Sequence, residues 1–366
     1  MARPLPPLWL AHPSRFAGLS RRRALWAGGA LLLLLIASLI ALKAPAPPAD
    51  ALAETPALAV YESVIAGLRA GGGYYQLTAD SLRAGAYPLR PFFAFRLPAH
   101  SVVQAALPPT ATLVLLGLLV LAVAMAWWHR LKPALPRPPA RFAAMVLLGG
   151  GLATFLQSDL IAAHELWAGL LVALALALRT PGRWLAPAAI ALMAMLVRES
   201  AAVFVVVMAA MALLEGRRRE ALGWTGALLL FAVAVATHAH AVAQVTGPLD
   251  PAAAGWAGMP GFGLFLQAAA ATTALRFLPL AIAAPLIVLA LFGWACWRDA
   301  LALRALAVFC AYALVLGLLA GPGDVAQGLL VAPMILVGLA FAPDGLRDLA
   351  SALLDRRRVR VQRVST

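Results

Sequence analysis

Charged residues are scarce in this chain. They make up 12% of its 366 residues, whereas hydrophobic residues make up 63% and the mean hydropathy is +0.88. A soluble domain is usually about a quarter charged and about half apolar. The composition therefore excludes a soluble globular enzyme, a disordered chain and an ectodomain with a single anchor, and it predicts a polytopic integral membrane protein.

Acidic residues are scarcer still, with 15 Asp and Glu against 29 Lys and Arg and a net charge of +14. In a soluble protein such an excess would suggest a nucleic-acid partner. Here most basic residues lie in short segments between apolar runs, which is the pattern that keeps basic loops in the cytoplasm. We therefore expect the lipid bilayer as a partner and no nucleic acid.

Cysteine is nearly absent. The two cysteines, Cys296 and Cys310, both lie in apolar runs, and neither belongs to a CxxC motif. This usage predicts neither a disulfide framework nor a zinc site. A cysteine in such a run most often serves as a small buried apolar residue.

The apolar runs predict an all-α fold with about ten membrane spans in a single membrane domain, residues 1–366. The first run is 19 residues long and follows Arg21–Arg23, which favours an uncleaved anchor over a signal peptide. With both termini in the cytoplasm, the cytoplasmic segments hold 22 of the 29 basic residues. The spans are expected near residues 24–42, 111–128, 142–157, 160–178, 184–197, 200–214, 221–243, 275–297, 305–320 and 325–342. A long outer loop (43–110), a second outer loop (244–274) and a basic cytoplasmic tail (343–366) complete the chain.

Two central hairpins are too short to cross a bilayer twice. Only 37 residues separate Arg141 from Arg179, and 33 separate Arg183 from Arg217. Roughly 15 residues per leg reach about 23 Å, against a hydrocarbon core of about 30 Å. Both turns should then lie below the outer surface, where polar groups are tolerated only inside protein or a water-filled cavity. Their polar residues predict a recessed pocket open to the non-cytoplasmic side, lined by Asp159, His164, Glu165, Arg198 and Glu199.

One pairing in this pocket follows from helix geometry. Arg198 and Glu199 are adjacent, and adjacent residues on one helix do not face each other. We therefore expect each to pair elsewhere, Arg198 with Asp159 or Glu165.

Three other features allow separate predictions. His238 and His240 lie two positions apart, so on a helix at most one of them enters the pocket. Gly149–Gly151 predicts a close helix approach and not a phosphate loop, since no Lys-Ser/Thr follows. The loop 244–274 either caps the pocket or re-enters the interface.

The long outer loop combines helical spacing with prolines. Residues 60–69 and 76–84 each have one apolar face, which predicts short helices on the membrane interface. Pro88, Pro91 and Pro98 predict an extended crossing after them.

The ionisable residues of this loop have two interpretations. As solvated groups, Arg83, Arg90 and Arg96 pair with lipid headgroups while Glu62 and Asp80 face water. As a site, the arginines clamp an anionic phosphate through forked hydrogen bonds, and one carboxylate serves as a general base.

Together these features resemble the GT-C superfamily of integral membrane glycosyltransferases. The likeness rests on the first span, the long first outer loop with interfacial helices, the short middle spans and the ordinary C-terminal spans. The chain also resembles ten-span proteins of alphaproteobacteria, through residues 73–75, 90–92, 95–98, 164–171 and 198–199. The resemblance implies a bacterial inner (cytoplasmic) membrane protein that transfers a sugar from a polyprenyl-phosphate donor at the outer face.

The family pattern has an acidic residue shortly before a tyrosine of the first outer loop. Tyr74 or Tyr75 occupies the tyrosine position, but residues 71–73 are all glycine. The catalytic carboxylate is therefore left open among Glu62, Asp80, Asp50 and Glu54.

The resulting hypothesis assigns a role to each polar residue. Glu62 or Asp80 is the base. The other residues form a substrate-binding set. Arg198 with Arg83 or Arg96 binds the phosphate, and Asp159, His164 and Glu165 position the donor or a divalent metal. Glu199, Tyr74 and Tyr75 lie beside them. No cofactor other than that optional metal is expected. The alternatives are a transporter or flippase of an anionic amphiphile and a catalytically silent membrane assembly partner.

Overall fold

The computed structural model describes residues 6–40, 56–253, 258–321 and 324–354. These residues form an all-α fold in which no β-strand occurs. Five helices within them are long and apolar enough to cross a membrane: Arg21–Leu39, Pro109–Leu131, Pro138–Leu156, Arg218–Ala243 and Ala300–Leu319. The predicted all-α class is confirmed, and the apolar helices fit a membrane protein. Asp50, Glu54 and the basic tail beyond residue 354 lie outside the described residues.

In chain order the α-helices are α1 (Arg21–Ile40), α2 (Pro56–Arg69), α3 (Tyr74–Ala84), α4 (Ala99–Ala106), α5 (Pro109–Leu131), α6 (Pro138–Leu152), α7 (His164–Leu178), α8 (Leu185–Val197), α9 (Ala202–Leu214), α10 (Arg218–Ala243), α11 (Phe262–Ala271), α12 (Leu280–Cys296), α13 (Ala300–Leu319), α14 (Ala332–Ile335) and α15 (Ala342–Leu354). Helices α2 and α3 confirm the two short helices expected in the long outer loop. Helix α4 was not expected.

The central helices are as short as the spacing of basic residues predicts. Helix α7 has 15 residues, and α8 and α9 have 13 each. At 1.5 Å per residue they measure about 22 Å and 20 Å. Helix α7 is buried on nearly all sides and packs mainly against α8 and α5. The polar N-terminal end of α7 is thus held in the middle of the bundle.

A buried ionic cluster fixes the other ends of these helices. Arg179, which follows α7, places a guanidinium nitrogen 2.7 Å from Glu220 at the start of α10. Arg304 of α13 lies 3.3 Å from Glu220 and 2.8 Å from Glu215. Arg179, Arg304 and Glu220 are at most 2% exposed. Paired charges of this kind hold α7, α10 and α13 in register at the end remote from the long outer loop.

The tenth apolar run is not a continuous helix. Residues 324–330 and 336–340 are 3-10 segments on either side of the single turn α14. Pro333 has no N–H to bond a carbonyl one turn earlier, which disfavours a regular α-helix through this position. Gly328 and Gly338 bring the backbone against Ala268 and Ala290 so closely that a Cβ would collide with their carbonyl oxygens.

The segment 244–274, expected as an outer loop, contains a helix in its second half. Helix α11 lies there, and most of it is buried against α12, α13 and the segment 324–330. Gly261, with φ of 76°, begins the helix and donates its N–H to the carbonyl of Gly317 at 3.0 Å. The apolar sequence that follows is buried in the protein core, since it has no polar face for an aqueous loop.

The glycine triplet of α6 makes one close approach. A Cβ at Gly151 would lie 2.5 Å from the carbonyl oxygen of Ala332, whereas nothing lies within 4 Å of one at Gly149. The expected close contact is confirmed at Gly151 alone.

The first and last described segments lie together. Asp344 of α15 accepts the backbone N–H groups of Leu8, Trp9 and Leu10. Arg15 donates to the carbonyls of Ala295 and Trp297, at the end of α12. Both described ends of the chain therefore occupy the same end of the helix bundle, away from α2–α4.

Candidate functional site

Residues 56–106, between α1 and α5, fold as a small loop layer over the N-terminal end of α7. Helices α2 and α3 share an apolar cluster with residues 89–95 and with Val242 of α10. Helix α4 contacts α2 and the end of α8. This layer brings loop residues against the polar turns of the two central hairpins.

Side chains hold two successive peptide groups, Phe95–Arg96 and Arg96–Leu97. The hydroxyl of Tyr74 donates to the carbonyl of Arg96 at 2.7 Å, and the N–H of Leu97 donates to Glu199 at 3.0 Å. Nε2 of His238 lies 3.2 Å from the carbonyl oxygen of Phe95. A carbonyl only accepts, so Nε2 carries the proton. These bonds fix the backbone from which the Arg96 side chain projects.

Tyr75 extends this arrangement. Its hydroxyl lies 3.2 Å from Nδ1 of His238. Because Nε2 of His238 donates to Phe95, a neutral ring accepts at Nδ1 from the Tyr75 hydroxyl. Tyr74 and Tyr75 thus stabilise the same segment from two sides, and His238 is engaged here without His240.

Arg96 lines an open cavity, and the other described residues that line this cavity are uncharged. Its Nε donates to the Tyr61 hydroxyl at 3.1 Å, and its side chain is 23% exposed. The cavity has a volume of about 180 Å³ and is walled by Val60, Val64, Tyr74, Leu82, Tyr87 and their neighbours. Burial alone would lower the pKa of Arg96, but Tyr61, Glu199 and Glu165 raise it above its usual value. The guanidinium is therefore a permanent cation in a mainly apolar concavity.

Glu199 links Arg96 to a deeper ion pair. One guanidinium nitrogen of Arg96 is 3.9 Å from Glu199, and one of Arg198 is 3.1 Å from it. Arg198 also lies 2.7 Å from Glu165, and this pair is almost fully buried. Two arginines and two glutamates balance each other in this cluster.

The expected pairing of Arg198 with Glu165 is confirmed, whereas Asp159 lies elsewhere. The expectation that Arg198 and Glu199 do not meet is wrong. Arg198 has φ of −143° and ψ of 115°, so the chain has left α8 in an extended conformation and the helical geometry no longer applies.

His164 occupies the floor of the layer and is completely buried. Its ring lies 4.4 Å from that of Tyr61 and 4.6 Å from that of His100. Neither ring nitrogen makes a hydrogen bond of normal geometry among the described residues. Burial lowers the pKa of His100 to about 4, so His100 is neutral near pH 7. The loop covers His164, Glu165 and Arg198, and the open space lies beside Arg96 instead.

Two carboxylates proposed as the base are remote from this cluster. Asp80 is 59% exposed and contacts Gln76 and Arg83 on its own helix. Glu62 is exposed and lines a separate cavity of about 210 Å³ with Arg69. Tyr61 and Glu62 are consecutive in α2 and point about 100° apart, so only Tyr61 reaches Arg96.

Arg83 and Asp159 are also placed apart from the cluster. Arg83 makes two 2.9 Å bonds to Asp250, and Arg90 donates to the backbone carbonyl of Asp250. These arginines therefore fasten the segment after α10 to the loop. Asp159 is exposed and accepts a bond from Ser158.

Three residues near His164 were not identified as site residues from the sequence. Tyr61 and His100 contact the ring of His164, and Gln104 donates to His100 and to the carbonyl of Ile161. The only available signal was the apolar face of residues 60–69, which includes Tyr61. His100 and Gln104 lie on α4, one turn apart on a helix that was not expected.

No group of three or more metal-ligating side chains suited to a metal ion occurs in residues 6–40, 56–253, 258–321 and 324–354. No family model matches the chain, and comparisons with curated proteins and with solved structures give no match either.

Proposed function

We propose that the chain is a glycosyltransferase-like membrane protein of GT-C type that binds the phosphate of a polyprenyl-phosphate-linked sugar at Arg96. The observation that carries this proposal is the fixed position of Arg96 in a concave, mainly apolar cavity. Ligand sites commonly combine such walls with a few placed polar groups. A guanidinium suits a phosphate because its planar donors bind two oxygens at once.

Glu199 is the carboxylate that suits the general base in this arrangement. The acceptor hydroxyl attacks the anomeric carbon of the sugar while the bond from that carbon to the phosphate oxygen breaks. The hydroxyl proton passes to Glu199, and the lipid phosphate leaves with its charge held by Arg96. Glu199 replaces Glu62 and Asp80 in this role because it is the glutamate that lies next to Arg96.

The test of the phosphate site is binding of undecaprenyl phosphate to the purified full chain, with undecaprenol as the uncharged probe. Wild type should prefer the phosphate, and Arg96→Gln should weaken phosphate binding about tenfold while leaving undecaprenol unchanged. Arg83→Gln, an arginine bound to Asp250, is the matched control and should bind like wild type. Equal binding of both lipids by wild type, or an undiminished preference in folded Arg96→Gln, would overturn the proposal.

The test of chemistry uses undecaprenyl-phosphate glucose in membrane vesicles. Glu199→Gln keeps an oxygen that accepts the Leu97 N–H, so it should retain binding and lose sugar release. Glu62→Gln should retain both. Loss of release in Glu62→Gln alone would return the base to Glu62.

The second candidate function is binding of a lipid phosphate without sugar transfer. Such a protein would be a transporter or flippase of an anionic amphiphile, or a catalytically silent membrane assembly partner. The observation that favours it is the cavity wall, in which Arg96 is the charged residue and no carboxylate is included. In that case Arg96→Gln loses phosphate binding, but wild type releases no sugar.

We further propose ten membrane crossings, with both termini in the cytoplasm of a bacterial inner membrane. Support comes from the shared position of the two described chain ends and from the basic residues around them. Single cysteines introduced at Arg22 and Gln76 test this orientation. A membrane-impermeant maleimide added outside should label the Gln76 position and not the Arg22 position.

A further inference from the structure

A second cavity lies on a different face of α2 from the one that contacts Arg96. It has a volume of about 210 Å³ and is bounded by α2, α4, the start of α5 and the turn before α7. Its lining residues are Glu62, Ile65, Arg69, Gln104, Pro109, Thr112, Leu113, Ser158, Ile161 and Ala162. None of them lines the Arg96 cavity, so the two spaces are separate.

The cavity is lined by two opposite charges that are not neutralised. Glu62 and Arg69 are seven residues apart on one face of α2, which separates their backbones by about 10 Å. Neither makes an ion pair within the part of the chain that the structure describes. A ligand that satisfied both would carry a cation and an anion.

The Arg69 end is suited to an anion. The Arg69 guanidinium donates to the carbonyls of Gln104 at 3.1 Å and Leu107 at 3.4 Å, so it lies beside the start of α5. Pro109 and Thr112, in the first turn of α5, line the same cavity. Pro109 has no N–H, so the first N–H groups of α5 that can attract an anion are those of Thr110 and Ala111, and the Arg69 guanidinium reinforces them.

The Glu62 end is suited to an ammonium group with N–H donors. The Glu62 carboxylate is exposed and accepts no hydrogen bond among the described residues. Sites for quaternary ammonium groups are typically built from aromatic rings. The residues that line this cavity include no aromatic side chain, which favours a primary amine.

The cavity adjoins the lipid-facing side of α5. Leu113 lines it and is 44% exposed, and the next residue, Val114, is 61% exposed. Helix α5 is long and apolar enough to cross a membrane. An occupant with acyl chains could therefore lay them along α5 while its headgroup fills the cavity.

From these contacts we propose that the cavity between Glu62 and Arg69 binds the zwitterionic headgroup of an aminophospholipid, of the phosphoethanolamine type. The phosphate lies at Arg69 and the start of α5, and the primary ammonium lies at Glu62. This site is independent of the Arg96 cavity and of any sugar transfer.

The experiment is native mass spectrometry of the purified full chain with added phosphatidylethanolamine, phosphatidylcholine or phosphatidylglycerol of identical acyl chains. Wild type should retain phosphatidylethanolamine about tenfold better than the other two. Glu62→Gln, which changes charge and not shape, should reduce phosphatidylethanolamine to the level of phosphatidylglycerol. Arg69→Gln should weaken all three lipids, and Arg69→Lys should restore part of the binding.

Asp80→Asn is the matched control, since Asp80 is an exposed carboxylate on the neighbouring helix, and it should behave like wild type. Arg69→Gln also loses two bonds to backbone carbonyls, so its folding is checked by thermal unfolding. Glu62→Gln keeps the test decisive if Arg69→Gln fails to fold. Equal retention of the three lipids by wild type, or a phosphatidylethanolamine preference that survives Glu62→Gln, would overturn the proposal.

Discussion

The Nε atom of Arg198 lies 2.7 Å from a carboxylate oxygen of Glu165, and both side chains are less than a tenth exposed. A charge removed from such a pair leaves its partner unpaired in a medium that solvates it poorly. Arg198 is therefore first a structural residue, since it joins the turn after α8 to the start of α7. Loss of activity on its substitution would not by itself identify a catalytic role.

We expect Arg198→Ala to lower the free energy of unfolding by about 3–5 kcal/mol, because Glu165 is left buried without its cation. Denaturant unfolding of the purified protein in detergent measures this change. The double variant Arg198→Ala, Glu165→Ala should recover part of the loss. If the double variant were less stable than Arg198→Ala by a further 3–5 kcal/mol, the pair would not be coupled as described.

The hydroxyl of Tyr74 contributes one bond to the position of Arg96, and its removal should be measurable. Tyr74→Phe should lower the free energy of unfolding by about 1 kcal/mol and weaken binding of undecaprenyl phosphate. Tyr87→Phe is the control, because Tyr87 lines the same cavity and its hydroxyl makes no bond among the described residues. An equal loss of binding in both variants would show that the cavity wall, and not the Tyr74 bond, matters.

His100 should make stability depend on pH. Burial holds its pKa at about 4 in the folded protein, below the usual value of about 6.5 for histidine. The unfolded chain therefore takes up a proton first, so stability is full above pH 6.5 and falls as the pH drops from 6.5 towards 4. The loss can reach about 3 kcal/mol. Unfolding measured at several pH values should give a flatter profile for His100→Gln than for wild type.

The glycine triplet of α6 offers a matched pair of substitutions. Gly151→Ala forces a methyl group against the backbone carbonyl of Ala332 and should destabilise the fold by about 1–3 kcal/mol. Gly149→Ala meets nothing within 4 Å and should be neutral or stabilising by up to about 1 kcal/mol, owing to the helix propensity of alanine. Thermal unfolding compares the two, and similar destabilisation by both would contradict the close approach at Gly151.

The local elements that depend on periodicity were predictable from the sequence. The apolar faces of residues 60–69 and 76–84 correspond to α2 and α3, and the distance between basic residues anticipated the short helices α7–α9. The buried helix α11 and the 3-10 segments around Pro333 were not anticipated. An apolar run indicates burial, but it does not distinguish a long helix from a short or interrupted one.

For the site, the pairing of Arg198 with Glu165 was predictable because both lie at the turns of short hairpins. The position of Glu62 was not predictable. Consecutive residues of α2 point about 100° apart, so Tyr61 and Glu62 line different cavities. The role of Glu199 in holding Leu97 was not predictable either. It depends on how residues 92–98 lie over the turn after α8, which is a tertiary contact that sequence spacing does not encode.

The bonds from Leu8, Trp9 and Leu10 to Asp344 join positions more than 330 residues apart. During synthesis residues 8–10 are made first, but their carboxylate partner leaves the ribosome only after the more than 330 residues between them. The segment must therefore wait without these bonds while the intervening helices are made. Its attachment to α15 is then a late step of assembly, completed only when α15 is in place.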